Sequence, residues 1–245
     1  MDPLTTTAAS GMRARMESLD MLANNIANTE TGGYKTDREF YSLYTSSDAV
    51  VPGSDGPATL PVIERNYTDY SQGSMRMTSN PLDLGIQGKG FFAVDSPSGV
   101  AYTRNGSFHL TAAGKMVNAD GYTVRSASGK PINLDASLPV EVAADGTISQ
   151  SGQTGGKLAV LDFPNRDDLV KQGNTLFRAA DPKATPVTSS AEVQQGRLES
   201  SNVGNSEAVV RLVSVMRQFD MLQKAIHIGR EMNRKVIDDV AKIGA

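Results

Sequence analysis

The sequence predicts an α+β chain: N- and C-terminal helices forming a coiled-coil module, with a central all-β domain of hairpins inserted between them. Three observations predict it. Near both ends, apolar residues recur at alternating steps of four and three, the spacing of a coiled-coil seam. From about Leu82 the texture changes to short β-type runs separated by turn dipeptides, the pattern of a hairpin-built domain. Residues 35–81 are punctuated by Ser, Thr, Gly and Pro with scattered aromatics, which marks an extended arm rather than a core. The expected divisions are 1–34 for the first helix, 35–81 for the arm or linker, 82–203 for the β domain and 204–245 for the last helix.

In the first helix, Thr5, Ala9, Met12, Met16, Leu19, Ala23 and Ile26 form the seam, and Arg13, Arg15, Glu17 and Asp20 fall off it. The helix should end near Asn28, before Thr31-Gly32-Gly33, where glycine accepts left-handed dihedrals. Its end reads ANNIANTETGGYK, with asparagine at 24, 25 and 28. Asparagine is poor inside a helix because its amide competes for nearby backbone groups. Two readings stand. Asn28 caps the helix while Asn24 sits at the surface, or Asn24 and Asn28, sharing a face at i and i+4, hydrogen-bond across a helix interface and set register. In the second reading Tyr34, an aromatic with a polar tip, anchors the exit of the chain.

The expected strands are 90–94 (GFFAV), 100–104 (VAYTR), 107–110 (SFHL), 121–125 (GYTVR), 140–143 (VEVA) and 157–163 (KLAVLDF). Asn105-Gly106, Asp120-Gly121 and Asp145-Gly146 separate runs of this kind and read as type I′ hairpin turns. The last helix starts near Ser206-Glu207. Its seam runs through Ala208, Leu212, Val215, Phe219, Leu222, Ile226, Gly229, Asn233, Val236, Val240 and Ile243. Gly229 and Asn233 are seam positions that allow close approach or a register-fixing polar contact. Antiparallel pairing would join both ends in one module. Two helices alone are marginal in water, so the ends are expected to order on assembly. Strong amide protection across 210–240 in dilute monomer would contradict that.

Composition removes several functions. The net charge of −3 gives no general attraction to nucleic acid or anionic membrane. With no cysteine, disulfides, thiolate metal sites and thiol nucleophiles are excluded. No run approaches the ~20 apolar residues of a membrane helix, and the first thirty residues lack a secretory leader pattern. Export, if it occurs, is therefore expected to proceed without a cleaved signal. His109 and His227 have no partner at metal-ligand spacing. Gly88–Ala93 matches GxGxxA but leads into a strand, not a helix. Gly155-Gly156-Lys157 lacks both the first glycine and the Ser/Thr of a phosphate loop. Asp167-Asp168 and Asp238-Asp239 are sequence neighbours that do not converge. No catalytic, cofactor-binding or metal-binding residue is predicted, and no cofactor.

ANNIANTETGGYK (Ala23–Lys35) resembles the N-terminal signature of the bacterial flagellar rod and hook axial proteins. LGIQGKGFFAV (Leu84–Val94), YTRNGSFHLTAAGKMVNADGYTV (Tyr102–Val124) and LESSNV (Leu198–Val203) are similar to three further segments of that family, in the same order. Met116 stands where leucine is usual, and Gly204-Asn205 where an acidic residue is common. Short length, a Met-Asp start and one β domain are most similar to the proximal rod subfamily, with the distal rod subfamily second.

The resemblance implies a structural subunit of the flagellar basal-body rod, exported by the flagellar type III apparatus and located where the rod spans the periplasm. It implies other rod and hook-family subunits, self included, as partners, with no nucleic acid and no membrane insertion. The expected assembly interface comprises Met12, Met16, Leu19, Ile26, Leu212, Val215, Phe219, Leu222 and Ile226 for packing, and Asn24, Asn28 and Asn202 for register. The alternative is a soluble β-domain enzyme or binding module dimerised by a coiled coil. It requires a pocket of convergent polar groups, for which the sequence supplies no candidates.

Overall fold

The computed structural model describes residues 3–45, 59–173, 175–181 and 184–243, with side chains for 8–39, 66–173, 175–181 and 184–235. The side chains of Thr5, Val236, Val240 and Ile243, and residues 46–58 of the expected arm, lie outside that description. The chain divides into two compact units. One comprises Met1–Ala27, Asp37–Tyr67 and Gly204–Ala245, and the other Asn28–Thr36 and Thr68–Val203.

In the helical unit, α1 spans Pro3–Ala27 and α2 spans Asn205–Ile243. Pro3 opens α1, where its missing N–H costs nothing. The helices run antiparallel. Ser18 and Arg211 both bond Glu39, whereas Gly11, earlier in α1, lies beside Leu222, later in α2. Within the expected arm, Asp37–Thr45 and Thr59–Thr68 form a two-stranded sheet. Residues 68–81 group with the β unit, where Met75–Met77 pairs with Arg197–Glu199.

The two seams fare differently. On α2, Ala208, Val215 and Gly229 are buried and Leu212, Phe219, Leu222 and Ile226 half-buried, so the a/d reading marks the inner face up to Gly229, whereas the next seam position, Asn233, is exposed. On α1 the buried residues are Ala8, Gly11, Ala14, Ser18, Met21, Leu22 and Asn25, a face offset by about one residue, or about 100°, from the expected stripe. Periodicity weighted by side-chain size selects Met12, Met16 and Leu19. Toward its start α1 buries small residues, among them Gly11 beside Leu222 of α2, and further along it buries Met21 and Leu22, while Ser18 and Asn25 bond the adjacent strand.

The β unit is built on a nine-stranded sheet flanked by smaller sheets. Its central strand, Phe91–Ser96, explains the apolar run GFFAV. Phe92 and Val94 enter one core with Leu84, Phe108 and Ile148, while Phe91 and Ala93 enter another with Tyr102, Phe163 and Phe177. A strand covered on both faces reads as continuous apolar sequence. Phe92 meets Phe108 edge-on at 5.2 Å, and Tyr102 meets Phe163 at 4.8 Å.

Turn chemistry departs from expectation. The Asp120-Gly121 and Asp145-Gly146 hairpins form, but only the glycines have positive φ (81° and 83°). Gly121 N–H donates to Asn118 and Gly146 N–H to Ala143, the pattern of a type I turn closed by a left-handed residue. Lys157, with help from Thr147, holds the exposed Asp145 carboxyl at about 2. Asn105-Gly106 joins strands that do not pair with each other. Its glycine is required by packing, since a β-carbon there would lie 1.7 Å from the Leu84 carbonyl oxygen. The two-residue hairpin with positive φ at both positions is Ser151-Gly152. KLAVLDF divides between Gln153–Lys157 and Val160–Asp162, which belong to different sheets.

Candidate assembly interface

The residues that follow α1 and those that precede α2 are fastened together inside the β unit. Gly33 N–H donates to the Glu199 carbonyl at 2.7 Å, and Asn202 N–H to the Tyr34 carbonyl at 3.4 Å. The Asn202 amide accepts from Thr36 N–H and Oγ1, both at 2.8 Å, and donates to the Asp69 carbonyl at 2.7 Å. Gly33 has φ +70°, and a β-carbon on it would lie 2.3 Å from Asn105 N, so only glycine suits this crossing. Tyr34 is fully buried, with Lys171 Nζ 4.0 Å above its ring.

At the centre of this clasp lies an ionic triad. Lys35 Nζ donates to Glu199 Oε1 at 2.6 Å, and Arg104 to Glu199 Oε2 at 3.0 Å, with the Lys35 and Glu199 side chains wholly buried. Backbone meets most of the surplus donors, although Arg104 Nε is buried without a hydrogen-bond partner among the described residues. Lys35 also donates to the Ser71 carbonyl at 2.6 Å, Arg104 to the Gly88 carbonyl at 2.6 Å, and Gly73 N–H to Glu199 Oε1 at 2.9 Å. Burial holds the Lys35 ammonium below its ordinary 10.5, against the upward pull of Glu199. Burial likewise lowers Arg104 despite the same carboxylate. One anion thus serves two desolvated cations, an arrangement that tolerates no loss of the anion.

The asparagines separate by role. Asn28, just past the last residue of α1, is buried and its side-chain oxygen takes a hydrogen bond from Thr31 Oγ1 at 3.1 Å. Asn24 is exposed. The buried helical asparagine is Asn25, which sequence reasoning left without a role. Its amide donates to the Asp37 carbonyl at 2.8 Å and accepts from Asp37 N–H at 3.1 Å, tying α1 to the following strand. Asn202 satisfies its amide inside the chain, so the structure gives it the positioning of the clasp.

Apolar surface remains on both helices. Met16 is 53% exposed, while Met12, Leu19 and Ile26 are half-buried. On α2, Val210, Met221, Ile228 and Met232 are 70, 61, 56 and 63% exposed. No described helix is long and apolar enough to cross a membrane. In the β unit, a groove of about 530 Å³ is lined by Arg125, Asp145 and Lys157 among others. Its Arg125 pairs with Asp95 at 3.1 Å and its Lys157 with Asp145 at 3.0 Å, which leaves these charges on structural duty.

Comparisons with known proteins bear on the same segments. Residues 6–35 match the family model described as flagella basal body rod protein. Residues 85–153 match the flagellar hook protein FlgE/F/G D1 domain, and 194–239 the flagellar basal body rod FlgEFG protein C-terminal region. The flagellar basal-body rod protein FlgG of Caulobacter vibrioides is 33% identical over 92% of this chain and 95% of its own. The chain belongs to the flagellar basal-body rod protein family. FlgF of the same bacterium is 30% identical over 99% of this chain and 100% of its own. FlgF of Mesorhizobium japonicum is 32% identical over 87% of each. As a rod-family protein the chain is a structural flagellar subunit of the basal-body rod and not an enzyme. The three rod-family segments hold Lys35, Arg104 and Glu199 respectively, so the triad joins all three matched regions.

Proposed function

We propose that this rod-family chain assembles through α1 and α2 into a helical, tubular drive shaft. Its partners are further copies and related rod and hook-family subunits, and its route is the flagellar type III export apparatus to a rod spanning the periplasm. Among rod proteins we assign it to the proximal segment. The observation that carries this reading is the exposed Val, Met and Ile surface of α2. Burying one such side chain stabilises by about 1.5–3 kcal/mol, and the chain alone leaves that gain unrealised. Met12, Met16, Leu19 and Ile26 of α1 and Leu212, Val215, Phe219, Leu222 and Ile226 of α2 supply packing. Asn28 and Asn202 hold the helix roots, and Asn24 faces outward where a neighbour can meet it.

An epitope-tagged full chain is expected to co-purify with basal bodies, and imaging should find it in the rod segment nearest the cell. Recovery only in the soluble fraction, as a discrete dimer, would overturn the reading.

A further inference from the structure

We infer that Glu39 sets the axial register of α1 against α2: its buried carboxylate admits the one lengthwise placement in which Ser18 and Arg211 reach it together. For assembly this rests on the rod reading, which it deepens by naming the residue that fixes the helical surface the chain offers.

Packing alone does not choose that placement. The inner face of α2 repeats at heptad spacing, with Ala208, Val215, Leu222 and Gly229 each seven residues apart and buried or half-buried. The buried residues Gly11, Ser18 and Asn25 of α1 are likewise seven apart. Sliding α2 along α1 by one heptad, about 10 Å, replaces one apolar seam position by another. Repeating seams of this kind owe their register to polar contacts.

Glu39, on the strand Asp37–Thr45, supplies such a contact. Its side chain is 2% exposed. Arg211 donates to Oε1 at 2.6 Å, and the Ser18 hydroxyl donates to Oε2. Asn25 exchanges two hydrogen bonds with the backbone of Asp37, so the strand grips α1 at two points and α2 at a third. Moving α2 by a heptad puts Gly204 or Gln218 in the place of Arg211. A half-heptad step puts Glu207, Ala208, Ser214 or Val215 there. None of these is a cation. Arg217, beside Gln218, is exposed and about 100° further round the helix. Each displaced register therefore strips the buried carboxylate of the cation bonded to it, the costly way to break an ion pair.

The absence of native cysteine makes the register readable. A β-carbon on Gly11 would lie 3.4 Å from Leu222 Cδ1, which marks the native placement. Purified full chains carrying Gly11→Cys with Leu222→Cys, Val215→Cys or Gly229→Cys are mildly oxidised at dilution. The relative yields of disulfide in the monomer are then mapped by mass spectrometry. With Glu39 in place, the 11–222 pair should exceed the 11–215 and 11–229 pairs several-fold. Glu39→Gln should lower 11–222 and raise the displaced pairs until the yields are comparable. An unchanged preference for 11–222 would overturn the inference. So would an equal fall in all three pairs, the mark of a group that only holds the helices together. If Glu39→Gln does not fold, Arg211 decides. Arg211→Gln should let the register slip, while Arg211→Lys, which keeps the cation, should hold it, and equal behaviour of the two would overturn the inference. In cells, Glu39→Gln should enter basal bodies several-fold less than the native chain, and native-level entry of a slipped chain would overturn the consequence for assembly. Absence of the native chain from basal bodies would instead remove the rod reading and leave the disulfide result standing.

Discussion

Replacing Leu222 by aspartate is expected to abolish incorporation into rods while the β unit stays folded. Leu222 lies on the inner face of α2 against the smallest residue of α1, where a β-carbon on Gly11 would sit 3.4 Å from its Cδ1. Truncating a core leucine costs ~2–5 kcal/mol, and a half-buried site falls at the low end. A carboxylate adds the cost of desolvating a charge with no counter-ion. Paired helices with few other neighbours have little stability to lose. The β unit shares no compact core with this position, and effects at distant sites without shared partners are independent. Motility and basal-body fractionation read the first half of the expectation, and near-UV circular dichroism of the β unit's tyrosines reads the second. Leu222→Met, which conserves volume, should assemble. Rods built from Leu222→Asp would refute the role given to this face.

Glu199→Gln is expected to destabilise the β unit by about 3–5 kcal/mol, the cost of leaving buried charge uncompensated. The amide keeps the shape but leaves Lys35 and Arg104 facing each other without an anion. Lys35→Met should cost less, because the Arg104–Glu199 pair at 3.0 Å remains neutral overall. Denaturant unfolding gives both values, and an equal or reversed order would contradict the triad's accounting.

The pH dependence gives an independent check. The folded Lys35 value already lies below 10.5 through burial. Between that depressed value and 10.5 the unfolded chain holds more protons than the folded one, so this residue's contribution to stability rises with pH. Without Glu199 to pull it up, the folded value drops further and the window widens. The gap between Glu199→Gln and the native chain should therefore narrow as pH rises from neutral toward 10. A constant gap would mean the loss is one of packing alone.

The α+β class, the two helices and most β-unit strands were legible because periodicity and turn residues act locally. GFFAV and most of the α2 seam behave as their neighbours in sequence demand, and the missing cysteines removed whole chemistries without any coordinates. The α1 face was misjudged because a size-weighted pattern cannot tell a residue that packs within the chain from one left for another chain. Ala8, Gly11 and Ser18 are buried on α1 although none is large, while Met16 is 53% exposed. The turn geometry at Asp120 and Asp145 escaped because one dipeptide serves two turn types, its glycine being the second central residue in type I′ but the closing fourth residue of the type I turn found here. By itself, then, the sequence determined which segments are helical, which are extended and which surfaces repeat. Only tertiary structure decided which of those surfaces the chain uses internally, and that Lys35, Arg104 and Glu199 form one buried site. The physical reason is separation: Lys35 and Glu199 stand 164 residues apart, and no local propensity encodes a bond across that distance.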